Sequence, residues 1–182
     1  MSTIKVSTIS PLGTDATKTI TLGSAGDTIA GAGSSTPAFM ANNSADQAIS
    51  LNTYTKVVLN TEQLDTNNAY DPSLYRFTVP SGQAGRYQIN IDGALQSDGT
   101  NYSEAWLVLY VNGASTQSIE ARIKMSSEAL NAGNSQRLSA SGILDLSVGD
   151  YLEVFGRISS SAGSPYFIQF TMNFSGYRIV GA

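Results

Sequence analysis

The sequence holds no His and no Cys among its 182 residues. The side chains left for chemistry are carboxylates, hydroxyls, amides and a few cations. Without an imidazole no serine-hydrolase triad can be assembled, and without a thiolate its cysteine variant fails as well. Zinc would have to be held by carboxylates alone, against its preference for nitrogen and sulfur. A carboxylate pair of the kind that cleaves glycosides is what remains for catalysis. Here the acidic residues stand apart. Asp65, Asp71, Asp98 and Asp150 sit singly among turn-forming residues, and Glu104, Glu120 and Glu153 fall on solvated strand positions. They are expected to be turn formers and exposed partners, and the chain is expected not to be an enzyme.

The densest group of oxygen ligands is EQLDTNNAYD, where Asp65, Asn67, Asn68 and Asp71 share one loop. Oxygen alone can hold calcium, but this spacing matches no dedicated calcium loop. No cofactor is expected, with calcium here as the one candidate. Two longer polar loops carry tyrosines: LQSDGTNYSE (Leu95 to Glu104) contains Tyr102, and SSSAGSPYF (Ser159 to Phe167) contains Tyr166. Tyr among Ser, Gly and Asn suits recognition of proteins or sugars, so Tyr102 and Tyr166 are the candidate ligand residues; an ordinary hairpin loop has the same composition.

The elements that position these residues read as strands. LYRFTV (Leu74 to Val79) sets Tyr75, Phe77 and Val79 on one face, and RYQINI (Arg86 to Ile91) does so with Tyr87, Ile89 and Ile91. SIEARIKM (Ser118 to Met125) turns Ile119, Ala121, Ile123 and Met125 inward and leaves Glu120, Arg122 and Lys124 to solvent. AWLVLYV, QRLSASGILDL, YLEVFGRI and the terminal FIQFTMNFSGYRI complete the set, and SSEALNAGN (Ser126 to Asn134) is at most a helical turn. Short alternating segments punctuated by Gly, Asn, Asp and Ser predict an all-β sandwich or barrel, either a Greek-key jelly roll or an immunoglobulin-like sandwich.

Residues 1–36 differ. They contain no aromatic residue and are rich in Thr, Ser and Gly. IKVSTI and KTITLG alternate as short strands, with Ile4, Val6, Ile20 and Leu22 as their apolar positions, but hold too little apolar surface for a core of their own. The chain thus divides into an extended N-terminal arm and linker, 1–36, and a head, 37–182. A net charge of −4 offers no basic surface to nucleic acid. Apolar runs such as WLVLY are too short to span a bilayer as a helix, and residues 1–20 lack the apolar core of a secretory signal, so neither membrane insertion nor signal-directed secretion is expected.

Three stretches in order carry a resemblance: Tyr70-Asp71 with LYRFTVPSGQAGRYQINIDGAL, then LSVGDYLEVF, then the terminal FSGYRI. Together they resemble the complement-one-q globular head within the tumour-necrosis-factor-like jelly-roll superfamily, over about Pro37 to Ile179. The leader lacks a Gly-X-Y repeat and so cannot be a collagen stalk. TIKVSTIS and KTITLGSAGDTI resemble the Thr/Gly-rich N-terminal segments of tailed-bacteriophage structural proteins. These resemblances imply a Greek-key jelly-roll head that forms a homotrimer. They further imply a virion protein assembled in the host cytoplasm and fastened to neighbouring virion proteins through residues 1–36. Capsid decoration or cement is the leading expectation; a tail-fibre or receptor-binding module for host adhesion, engaging a surface glycan or receptor, is the alternative.

The residues bear on the trimer too. YLEVFGRI has Leu152, Val154 and Ile158 on one face and Tyr151 and Phe155 on the other, and AWLVLYV sets Trp106 and Tyr110 against Leu107 and Leu109. Both strands are apolar on two faces, so something must cover the second. A fully buried central strand within one subunit and a subunit interface both answer this; the interface is preferred, with Tyr151, Phe155, Trp106 and Tyr110 in it.

Overall fold

The computed structural model describes residues 37–97, 102–124 and 135–179. The arm positions Ile4, Val6, Ile20 and Leu22, along with Asp98 and the stretch Ser126–Asn134, lie outside the described residues.

Among the described residues the chain forms two antiparallel sheets and no helix. Sheet A contains β1 (Ala38–Asn42), β2 (Gln47–Ala48), β4 (Thr61–Asp65), β7 (Gly85–Ser97), β10 (Ser135–Leu146), β12 (Pro165–Phe167) and β13 (Asn173–Arg178). Sheet B contains β3 (Thr55–Lys56), β5 (Tyr70–Asp71), β6 (Arg76–Thr78), β8 (Tyr102–Val111), β9 (Ala114–Lys124) and β11 (Tyr151–Ser160). In sheet A, β10, β7, β13, β1 and β4 lie side by side. In sheet B the order is β5, β6, β11, β8 and β9. The chain crosses between sheets at β2–β3, β3–β4, β4–β5, β6–β7, β7–β8, β9–β10, β10–β11 and β11–β12. This is the connectivity of the expected Greek-key jelly roll.

Alternation explains which face each strand buries. Tyr87, Ile89 and Ile91 of β7, Leu107 and Leu109 of β8, and Leu152, Val154 and Ile158 of β11 all point between the sheets. An aromatic stack closes one end of this core: Phe39 lies on Phe77 at 4.3 Å and meets Phe174 edge-on at 4.7 Å. Tyr87 adds its ring beside Phe77 at 5.7 Å, while its hydroxyl donates to the Gln83 carbonyl at 2.6 Å. Burial pushes that phenol up to about 12, so the ring stays neutral where it is packed.

Two predicted strands are shorter than their patterns. Tyr75 falls outside β6, at φ 52° in the preceding turn, so it does not share the face of Phe77 and Val79. Asp71 causes the break: its carboxylate accepts the backbone N–H groups of Ser73 and Leu74 and the Ser73 hydroxyl, folding the chain into an Asx turn. The terminal run FIQFTMNFSGYRI is split into β12 and β13 by a turn at Ile168–Thr171. Pro37 and the end of β13 come together, with the Arg178 N–H donating to the Pro37 carbonyl at 3.0 Å.

Candidate functional site

The outward face of sheet B gathers all four residues predicted for a subunit interface, and the same chain already covers it in part. Tyr110 and Phe155 pack at 4.0 Å. Tyr54, from the segment leading into β3, lies 6.2 Å from Trp106 and 6.3 Å from Tyr110, bridging them. Beneath this layer Val108 is fully buried on the side of β8 away from the main core. Cations seat on the rings: Arg122 over Trp106 at 4.0 Å, Arg76 over Tyr151 at 4.8 Å and Arg157 over Tyr54 at 5.5 Å. Each such contact is worth about 0.5–2 kcal/mol. Glu104 pairs with Arg122 and holds it in place. Burial, then the neighbouring Tyr54, raises the Tyr110 phenol above its usual range. Tyr151, Phe155, Trp106 and Tyr110 are each half-buried within one subunit.

This layer leaves an open depression of about 430 Å³ lined by Tyr54, Trp106, Ser115, Glu120 and Arg122. Sequence reasoning passed over Tyr54 and read Glu120 and Arg122 as merely solvated. The hairpin register conceals them. β8 and β9 join through Asn112-Gly113, both at positive φ, as a two-residue hairpin turn requires. Regular pairing outward from that turn would set Trp106 opposite Ile119. An irregularity between Val108 and Tyr110 sets it opposite Arg122 instead.

Asp65, Asp71, Asp150 and Glu153 serve the backbone or other side chains. Asp65 accepts the N–H groups of Asn67 and Tyr70, and Asp71 is occupied by its own turn. In the loop considered for calcium, both carboxylates are thus bound to N–H groups, and no group of three or more His, Cys, Asp or Glu side chains placed to hold a metal occurs among the described residues. Asp150 accepts from the Asn112 amide at 2.8 Å and the Ser147 N–H at 2.7 Å, tying the β8–β9 and β10–β11 turns together. Glu153, read as solvated, is instead partly buried and paired with Lys56 at 2.5 Å.

Both predicted loop tyrosines fall in strands beside their loops. Tyr166 belongs to β12, where it is laddered between Gln96 and Ala48. Tyr102 begins β8 opposite Ser160. Among the described residues the most exposed aromatic is Phe170, 64% exposed at φ 57°. It stands on a turn pinned by Asn43, whose amide donates to the Ile168 carbonyl and accepts from the Met172 N–H, and whose carbonyl accepts from the Phe170 N–H. Asn43 itself is fully buried.

The outward face of sheet A differs from that of sheet B. Its rows run Ile143–Gln88–Tyr177 and Ser141–Asn90–Ser175–Met40–Leu64. Small polar side chains surround four exposed apolar ones: Ile143 at 57%, Leu64 at 49%, Tyr177 at 43% and Met40 at 40%.

No protein-family model matches the sequence, and no curated protein does. Solved structures do. The globular domain of zebrafish complement 1qA protein aligns with 18% identity and a TM-score of 0.54, covering 79% of this chain and 97% of that chain. An Eiger TNF from S. frugiperda aligns with 12% identity and a TM-score of 0.56, covering 80% and 93%. At these identities the likeness is one of architecture, and the chain has the all-β, C1q/TNF-like jelly-roll fold.

Proposed function

We propose that this chain is a non-enzymatic structural protein whose jelly-roll head forms a homotrimer and whose residues 1–36 fasten it to neighbouring proteins, as a capsid decoration or cement protein of a tailed-phage virion. The observation that carries the trimer is the outward face of sheet A, where Ile143, Tyr177, Met40 and Leu64 stand uncovered among small polar side chains. A second copy of the chain would remove that apolar surface from water. We place the contact there rather than on Tyr151, Phe155, Trp106 and Tyr110, because Tyr54 and two arginines of the same chain already lie against those rings. Residues 1–36 supply Ile4, Val6, Ile20 and Leu22 in strand-like alternation, suited to adding a strand to a neighbour's sheet.

The full chain is expected to sediment as a trimer at micromolar concentration and to be captured by assembled phage capsids. Replacing Ile4, Val6, Ile20 and Leu22 together by Asp is expected to abolish capture while the mass stays trimeric. A monomeric mass refutes the trimer, and undiminished capture by the variant refutes the arm.

A second reading, host attachment, draws on Phe170. Its turn lies at the opposite end of β13 from Pro37, roughly 20 Å away along the strand, and holds this aromatic exposed.

A further inference from the structure

The depression on sheet B has a composition that packing alone does not require. Two rings wall it: Tyr54 stands at 75° to Trp106. Arg122 is held by the Trp106 ring on one side and Glu104 on another, so its remaining N–H groups have a fixed direction. The Glu120 carboxylate has no ion-pair or hydrogen-bond partner among the described residues. The indole N–H of Trp106 is buried and lacks an acceptor. Trp106, Ser115, Glu120 and Arg122 all belong to the β8–β9 hairpin, with Ser115 and Glu120 on either side of its register shift.

These features narrow the ligand. A purely apolar molecule would leave the Glu120 carboxylate unsatisfied on desolvation. An ion would meet a balanced site, because Arg122 and Arg157 offset Glu104 and Glu120. A sugar ring fits both demands. Its C–H face packs against an aromatic ring, while its hydroxyls donate to a carboxylate and accept from guanidinium N–H groups. We propose that the depression bounded by Tyr54, Trp106, Ser115, Glu120 and Arg122 binds a neutral saccharide. One ring face lies along Tyr54, and its hydroxyls are read by Glu120 and Arg122. The proposal goes beyond the host-attachment reading, which draws on Phe170, and concerns sugar binding by the chain itself, so either can fail without the other.

Trp106 is the single tryptophan of the chain, and its emission reports this site without a label. The full chain is titrated with common neutral hexoses, 6-deoxyhexoses and N-acetylhexosamines, with N-acetylneuraminic acid, and with a cationic oligo-arginine peptide. The expected result is a saturable emission change with at least one neutral sugar, and affinity at least about tenfold weaker for the acidic one. Glu120→Gln and Ser115→Ala are expected to weaken the neutral sugar about tenfold at unchanged melting temperature, while Tyr166→Phe has no effect. The proposal is overturned by no saturable change with any neutral sugar, by a response confined to the acidic sugar or the peptide, or by sugar binding that survives Glu120→Gln undiminished.

Discussion

Asp71 and Asp150 show what single acidic residues do in this chain. The Ser73 hydroxyl first, then the Leu74 and Ser73 N–H groups, lower the Asp71 carboxyl below its usual value. The Asn112 amide first, then the Ser147 N–H, lower Asp150. A carboxylate whose folded value lies below its unfolded one stabilises the fold while ionised. That stability is fully present above the unfolded value, about 3.9, and is lost as pH falls through the lowered folded value. Thermal melts are therefore expected to hold from neutral pH down to about pH 5 and to fall steeply below about pH 4. Asp150→Asn should melt lower at pH 7 and lose part of that acid dependence; an unchanged acid slope would remove Asp150 from this role. The turn-forming part of this behaviour was legible, because Asp71 before Pro-Ser and Asp150 after Gly149 stand in turn-favouring sequence. The pairing of Glu153 with Lys56 was not, since it joins strands far apart in sequence.

Among elements, the terminal strand was the most readable and explains its own motif. Phe174 points into the core and Tyr177 to the outside, as alternation requires of positions of opposite parity. Gly176 shares the inward face, where an added Cβ would lie 2.6 Å from Ile89 Cδ1, 2.9 Å from Phe39 Cε1 and 2.9 Å from the Gln88 carbonyl. Glycine is needed so that Phe39 can stack across the strand onto Phe77. Gly176→Ala is expected to destabilise the head by about 1–3 kcal/mol, because a backbone oxygen cannot step aside. Denaturant unfolding of the full chain measures it; an unaltered midpoint would mean that β1 or β7 yields. The split of the terminal run into β12 and β13 escaped the pattern, because the buried Asn43 that pins the intervening turn lies on the far side of the chain from it in sequence.

For the whole molecule, the two outward faces have opposite characters although both strand sets carry apolar residues outside. On sheet B, rings and arginines of one chain cover each other; on sheet A, nothing of the described residues covers Ile143 or Tyr177. Ile143→Lys should thus leave the melting of a dilute monomer nearly unchanged and weaken self-association by tenfold or more, about 1.4 kcal/mol per tenfold. Sedimentation across a concentration series checks it; a trimer indifferent to a charge at this position would move the contact elsewhere.

The sequence by itself determined the fold class, the direction in which most strands face and the closing strand, because period-two alternation and turn chemistry are local properties of the chain. The exclusion of imidazole and thiol chemistry is equally a matter of composition. Only the tertiary structure decided which residues share a surface. The irregularity in the β8–β9 ladder sets Arg122 rather than Ile119 opposite Trp106, and the approach to β3 brings Tyr54 across Trp106 and Tyr110. Register and crossing connections join residues remote in sequence, and no periodicity within a single strand encodes them.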